Sequence, residues 1–193
     1  MAIIPARAGS VRLPGKNVIE FNGKALIEWT IIAAKDAKLF SRIVVSTDDD
    51  IVRAICVDYH VTVVPQPKFP QNDLASRNVV RHVLDRFHTM PEYCILLQPT
   101  SPLRTAKHIS AAWKELHKAR HRSYNSLVSV NPANEVNGAI YIFSSDRILL
   151  GDPLYDDRSL RFEMDEKSSV DIDTIDDLYR ANSFITESVC SPK

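Results

Sequence analysis

Ala2-Ile3-Ile4-Pro5-Ala6-Arg7-Ala8-Gly9-Ser10-Val11-Arg12-Leu13-Pro14-Gly15-Lys16-Asn17 opens this 193-residue chain. Three consecutive apolar residues with no polar alternation fit a short strand buried on both faces, as in a parallel sheet. Pro5, Gly9, Pro14 and Gly15 then exclude a helix and leave a long loop at the strand's carboxyl end. The chain has five glycines, and Gly9, Gly15 and Gly23 all fall in its first 23 residues. Glycine allows the tight turns and close backbone approach that a phosphate cradle needs. Arg7, Arg12 and Lys16 add three positive charges with no acid between them. Opposite unit charges ~4 Å apart attract by about 4 kcal/mol at an effective dielectric of 20, so such a loop suits a polyphosphate. It is neither a Walker A sequence nor a GxGxxG fingerprint. On loop physics alone, a solvated loop with a Pro-Gly turn is an equally good reading.

Outward from this stretch the pattern repeats. Apolar runs at Ala2 to Ile4, Ile43 to Ser46, Val61 to Val64, Tyr93 to Leu97, Leu127 to Val130 and Ala139 to Phe143 predict strands. Amphipathic segments at roughly Ala25 to Ala37, Asp49 to Tyr59 and Thr105 to Arg120 predict helices, as do Val79, Val80, Val83, Leu84 and Phe87, which line one helical face. A further helix begins near Ile175, with Thr174 as N-cap and Asp177 completing a capping box. The alternation implies a single α/β domain over residues 1–193: a Rossmann-like, mainly parallel sheet with helices on both faces. Ligands then bind at the carboxyl ends of the strands, near a switch in strand order.

Composition narrows the function classes. With 45% hydrophobic and 25% charged residues the chain reads as an ordinary globular protein. Twenty-four Lys+Arg balance 24 Asp+Glu, so no overall field recruits nucleic acid or an anionic membrane. No apolar run approaches the ~20 residues of a membrane span, and Pro5 interrupts any secretory pattern at the start. Cys56, Cys94 and Cys190 are odd in number and lack CxxC spacing, which favours idle thiols in the cytoplasm over a disulfide or zinc site. His117 and His121 stand at i and i+4 but among Lys118, Arg120 and Arg122, a solvated basic helix face. His82 and His88 have no ligand pattern either. Trp29 and Trp113 fit helix packing.

Four ordered blocks carry a family resemblance: residues 2–10 continuing through Lys16-Asn17, Leu97-Gln98-Pro99-Thr100-Ser101-Pro102-Leu103-Arg104, Asn137-Gly138-Ala139-Ile140-Tyr141-Ile142, and Ser169-Val170-Asp171-Ile172-Asp173-Thr174. Val45-Ser46-Thr47-Asp48 and the region of Asp73 also fit. Together they resemble CMP-sialic acid synthetases (N-acylneuraminate cytidylyltransferases). That resemblance implies a Rossmann-like nucleotidyltransferase that joins CTP to the anomeric hydroxyl of a nine-carbon ulosonic acid (sialic, legionaminic or pseudaminic) with magnesium, releasing pyrophosphate. By motif position Arg7, Ser10 and Lys16 hold the triphosphate, with Arg12 a weaker candidate in the same loop. Asn17 touches the ribose, and Asp73 lies near the cytosine and the sugar, with helix N-capping as its plain alternative. Arg7 and Lys16 are the residues expected to carry catalysis, by positioning and charge neutralisation. Gln98 and Ser101 lie near the sugar, and Arg104 reads as a solvated helix-start residue.

Asp171 and Asp173 are the metal candidates. At i and i+2 in an extended segment both carboxylates face one side, and magnesium commonly joins such oxygens to phosphates. A polar strand end is their plain alternative. Asp176 and Asp177 read instead as acids complementing a helix dipole.

The chain departs from the family in three places. The connection Asn131-Pro132-Ala133-Asn134-Glu135-Val136 is short where the family has a long excursion carrying a basic motif, sugar contacts and a dimer-forming extension; a homodimer is correspondingly weakened. Gln66 stands before Pro67 where arginine is usual. The first strand starts almost at Met1, without a few customary apolar residues. Two other readings remain: a CMP-Kdo synthetase, disfavoured by Asn17 and by Gln98-Pro99-Thr100-Ser101-Pro102, and a non-catalytic nucleotide-binding module that lacks a full sugar pocket.

Overall fold

The structure, a computed structural model, describes residues 1–10, 12–69, 75–119 and 124–190. Its centre is a strand buried on both faces, β1 (Ala2–Pro5). Ile3 points to one face of the sheet while Ala2 and Ile4 point to the other, and all three are fully buried. Burying the Ile3 and Ile4 side chains contributes roughly 1.5–3 kcal/mol each. β1 pairs in parallel with β4 (Ile43–Thr47) and β6 (Tyr93–Leu96), and β4 pairs in parallel with β5 (Thr62–Pro65). Beyond β6 lie β8 (Val136–Ser144), β7 (Ser126–Val130) and β9 (Leu160–Glu163), giving the order β5-β4-β1-β6-β8-β7-β9. β8 is antiparallel to both β6 and β7, whereas β7 and β9 are parallel. In this sheet β8 alone opposes the other six strands, so the sheet is mainly parallel, as the apolar runs imply.

That reversal matters for the site. The carboxyl ends of β1, β4, β5, β6, β7 and β9 share one edge, and the amino end of β8 joins them there. Helices α1 (Leu26–Ala37), α2 (Asp50–Asp58) and α4 (Ala106–Ala119) cover one face. The other carries α3 (Ala75–Leu84) and α5 (Ser145–Leu150). A third apolar cluster joins Phe21 and Leu26 to Val170, Ile172, Leu178 and Ala181, seating α6 (Ile175–Cys190) beside the start of α1. Thr174 and Asp177 cap α6 reciprocally: Thr174 N–H and Oγ1 each donate to Asp177 Oδ2 at 2.8 Å, and Asp177 N–H donates to Thr174 Oγ1 at 3.3 Å. Trp29 packs edge-on against Phe21 and Trp113 against Tyr93, both as core-lining groups.

The short connection after β7 is a closed hairpin. Val130 pairs with Val136, and Asn131 N–H donates to the Glu135 carbonyl at 2.9 Å. Asn131 Oδ1 accepts from Glu135 N–H at 2.9 Å, with Asn134 in the left-handed region at φ 62°. Four elements were not anticipated: β2 (Glu20–Phe21) and β3 (Lys24–Ala25), α5, and β9 at the sheet edge. Cys56 and Cys94 are buried and free. No helix among the described residues is long and apolar enough to cross a membrane.

Candidate active site

The loop after β1 is pinned from β4. Thr47 Oγ1 donates to the Ala6 carbonyl at 2.6 Å, and Asp48 Oδ1 accepts from Ala8 N–H at 2.8 Å. Gly15 turns the chain at φ 66°, where a side chain would be strained, into a short 3-10 turn over Lys16–Val18. The side chain of Asn17, buried in that turn, donates to the Arg7 carbonyl at 2.9 Å. Arg7, Gly9, Ser10, Lys16 and Asn17 thus line one wall of a cleft of about 700 Å3. The facing wall comes from Gln66, Lys68 and Phe69 after β5, and Gln98, Pro99 and Thr100 after β6 close the end. The cleft sits between β1 and β6, where strand order reverses.

The C-terminal carboxylates meet the basic loop here. Lys16 Nζ lies 2.6 Å from Asp173 Oδ1, and an Arg12 guanidinium nitrogen lies 2.5 Å from Asp173 Oδ2. Arg12 is mostly exposed, so its pair contributes at most about 1 kcal/mol. Lys16 is far better shielded. Ile172 N–H donates to the Thr100 carbonyl at 2.8 Å, fastening the Asp171–Asp173 segment to the loop after β6. Asp173 N–H is held in turn by Asp177 at 3.0 Å.

Asp171 is a stressed carboxylate. Burial pushes its pKa up and neighbouring Asp173 and Asp177 add to the rise, while Thr100 and Lys16 oppose it. Neither Asp171 Oδ1 nor Thr100 Oγ1 completes a hydrogen bond of good geometry, although both atoms are buried. Asp171 Oδ2 faces Gly138 on β8. A Cβ at Gly138 would stand 3.6 Å from that oxygen and 3.0 Å from Gln98 Oε1, and φ there is +77°. Gly138 therefore leaves room for the Gln98 amide oxygen at a point that Asp171 Oδ2 also faces.

Of the residues singled out from sequence, Arg7, Ser10, Lys16, Asn17 and Gln98 share the cleft wall, and Arg12, Asp171 and Asp173 adjoin it. Ser101 is fully buried behind the lining formed by Thr100. Asp73 and His121 lie outside the described residues. Arg104 overturns its expectation. It is 2% exposed, and its guanidinium donates to the Gln98 carbonyl at 3.0 Å, the Ala139 carbonyl at 2.9 Å and Thr30 Oγ1 at 2.8 Å. Burial pulls its pKa down to about 9. The segment 100–104 looked exposed because it is a turn, but α1 and β8 enclose it.

A sequence model of the cytidylyltransferase family matches residues 1–147. The chain belongs to that family. Along this cytidylyltransferase, 33% of residues are identical to a CMP-N,N'-diacetyllegionaminic acid synthase of Legionella pneumophila, over 90% of both chains. The comparison runs over 214 positions, so the relative carries residues with no counterpart here. An N-acylneuraminate cytidylyltransferase of Streptococcus agalactiae is 30% identical over 92% of this chain, which spans about half (51%) of that longer protein. The fold is shared with a cytidylyltransferase of Leptospira borgpetersenii, at a TM-score of 0.73 and 20% identity, over 96% of this chain and 86% of the other.

Proposed function

We propose that this cytidylyltransferase transfers CMP from CTP to the anomeric hydroxyl of a nine-carbon ulosonic acid of the sialic or legionaminic class. The hydroxyl oxygen forms a bond to the α-phosphorus, the bond from that phosphorus to the pyrophosphate oxygen breaks, and pyrophosphate and the hydroxyl proton leave. The observation that carries this reading is the 2.6 Å approach of Lys16 to Asp173 at the mouth of the cleft. It brings a cradle for a polyphosphate and a pair of carboxylates to one place.

Residues of the chain then divide the work. The backbone at Gly9 and Ser10, with Arg7 and Lys16, holds the triphosphate and takes up charge that grows on the pyrophosphate side. Gln98 presents an amide to the acceptor beside Asp171. The buried, unpartnered oxygen of Asp171 and the neighbouring Asp173 suit a small divalent cation. Among the described residues no group of three or more His, Cys, Asp or Glu is arranged for a metal. Two carboxylates completed by phosphate oxygens and water fit magnesium in particular. When bound, magnesium neutralises phosphate charge and polarises the phosphoryl oxygens. The reading extends to a cytoplasmic setting, in which Cys56 and Cys94 stay reduced.

The test is pyrophosphate release from CTP and magnesium across a panel of eight- and nine-carbon ulosonic acids. Turnover restricted to a nine-carbon acid is expected, and turnover only with the eight-carbon Kdo would replace the acceptor assigned here. Lys16→Ala and Asp171→Asn should each lower turnover by roughly a hundredfold or more while the protein remains folded. Near-normal activity of either variant removes that residue from the mechanism.

A further inference from the structure

We propose that Arg104 is a positioning residue for the acceptor side of the active site, setting Gln98 against Asp171 from behind the cleft. The proposal rests on the acceptor reading above. Arg104 reaches three elements at once: the loop after β6 through the Gln98 carbonyl, β8 through the Ala139 carbonyl, and α1 through Thr30 Oγ1. Thr30 Oγ1 also donates to the Gln98 carbonyl at 3.4 Å, closing a ring of contacts around one oxygen. Gln98 and Ala139 flank the functional contact directly. Gln98 carries the amide, and Ala139 follows Gly138, the residue whose missing Cβ leaves room for that amide where Asp171 Oδ2 also faces.

Among the described residues no carboxylate lies within ion-pairing distance of Arg104, and its Nε is buried without a partner. A buried charge held only by neutral acceptors is costly, and an apolar side chain there would leave the Gln98 and Ala139 carbonyls without this donor. What an apolar chain cannot do is fix two carbonyls and a hydroxyl at set distances. The planar fork of arginine does so, and lysine, a single point donor, reproduces it only in part.

The experiment compares wild type with Arg104→Lys, Arg104→Met and the milder Thr30→Val, which removes one of the three anchors. CTP affinity is measured by calorimetry, and kcat and acceptor KM by pyrophosphate release with the acid that wild type uses. The thermal midpoint is followed in parallel. Arg104→Lys should lose roughly tenfold to a hundredfold in kcat over acceptor KM, with CTP affinity within about twofold of wild type on that same scale. Thr30→Val should shift in the same direction by a smaller factor, and these two variants carry the test if Arg104→Met does not fold. Lowered midpoints with wild-type acceptor kinetics in Arg104→Lys and Thr30→Val would make Arg104 a staple only and overturn the proposal. An equal loss of CTP affinity and acceptor use would also overturn it, because the effect would not then belong to the acceptor side. A wild-type enzyme that turns over no ulosonic acid overturns the acceptor reading itself, and this proposal with it.

Discussion

Asp171 holds the strongest conflict between stability and use in the molecule. A largely buried carboxylate with one unpartnered oxygen favours its neutral form, so at neutral pH its ionised form weighs against the folded state. Asp171→Asn should therefore raise the thermal midpoint of the ligand-free protein even as it lowers turnover. For a chain of this length each kcal/mol gained is a rise of about 2–4 °C, readable by calorimetry. Gly138 gives the opposite case. Gly138→Ala meets both the positive φ and the 3.0 Å approach of Gln98 Oε1. A loss of about 1–2 kcal/mol in stability is expected from the backbone alone, with acceptor KM rising and CTP affinity retained. Urea unfolding and the same kinetic assay check both. Asp171 and Asp173 could be singled out in sequence because the ordered family blocks tipped a local i and i+2 pattern that alone reads better as a polar strand end. Arg104 could not, because its burial is decided by Thr30 and Ala139, far away in the chain.

At the level of elements, α6 links helix capping to the site. Asp177 closes the capping box and also holds the Asp173 backbone. Thr174→Ala should cost about 1 kcal/mol in urea unfolding. Asp177→Ala should cost a similar amount and also reduce turnover, since Asp173 then loses its backbone anchor. The segment between α5 and β9 carries a pH-dependent contact. Partial burial works against ionisation of Asp156, but hydrogen bonds from Arg158 and buried Arg147 outweigh it and hold the carboxyl at about 2. The folded protein thus binds this proton less readily than the unfolded chain. The resulting stabilisation is complete above the ordinary aspartate range and fades as pH falls from about 4 towards 2. Asp156→Asn should be roughly 1–2 kcal/mol less stable than wild type at pH 7, and the two should converge near pH 2 in urea titrations. The capping box was legible because its two residues sit three apart. The β2–β3 turn left a readable trace in Asn22-Gly23, whose φ values of 50° and 77° match a tight hairpin turn, but two-residue strands give no periodicity to accompany it. β9 is four residues with alternate half-burial at a sheet edge, too short for its period to stand out.

Across the whole molecule, alternation of apolar runs and amphipathic helices was enough for the sheet class and for the edge that carries the site. Apolar character could not reveal that β8 opposes its neighbours, since a buried antiparallel strand reads like a buried parallel one; the signal lay in the short Asn131–Val136 connection, because parallel strands need a crossover of about a dozen residues or more. The compact Asn131–Glu135 turn bears on assembly as well as on the acceptor side. With a closed hairpin where the resemblance implies a dimer-forming excursion, sedimentation velocity should find a monomer near 21.8 kDa. A stable dimer in that measurement would require another surface to serve.

Lys16 and Asp173 touch although 157 residues separate them along the chain. At ribosomal rates of about 5–20 residues per second, the second partner follows the first by roughly 8–30 s. During that interval the emerging polypeptide has a basic loop without its acidic counterpart. The cradle proposed for the polyphosphate is therefore assembled only once Asp173 has been made.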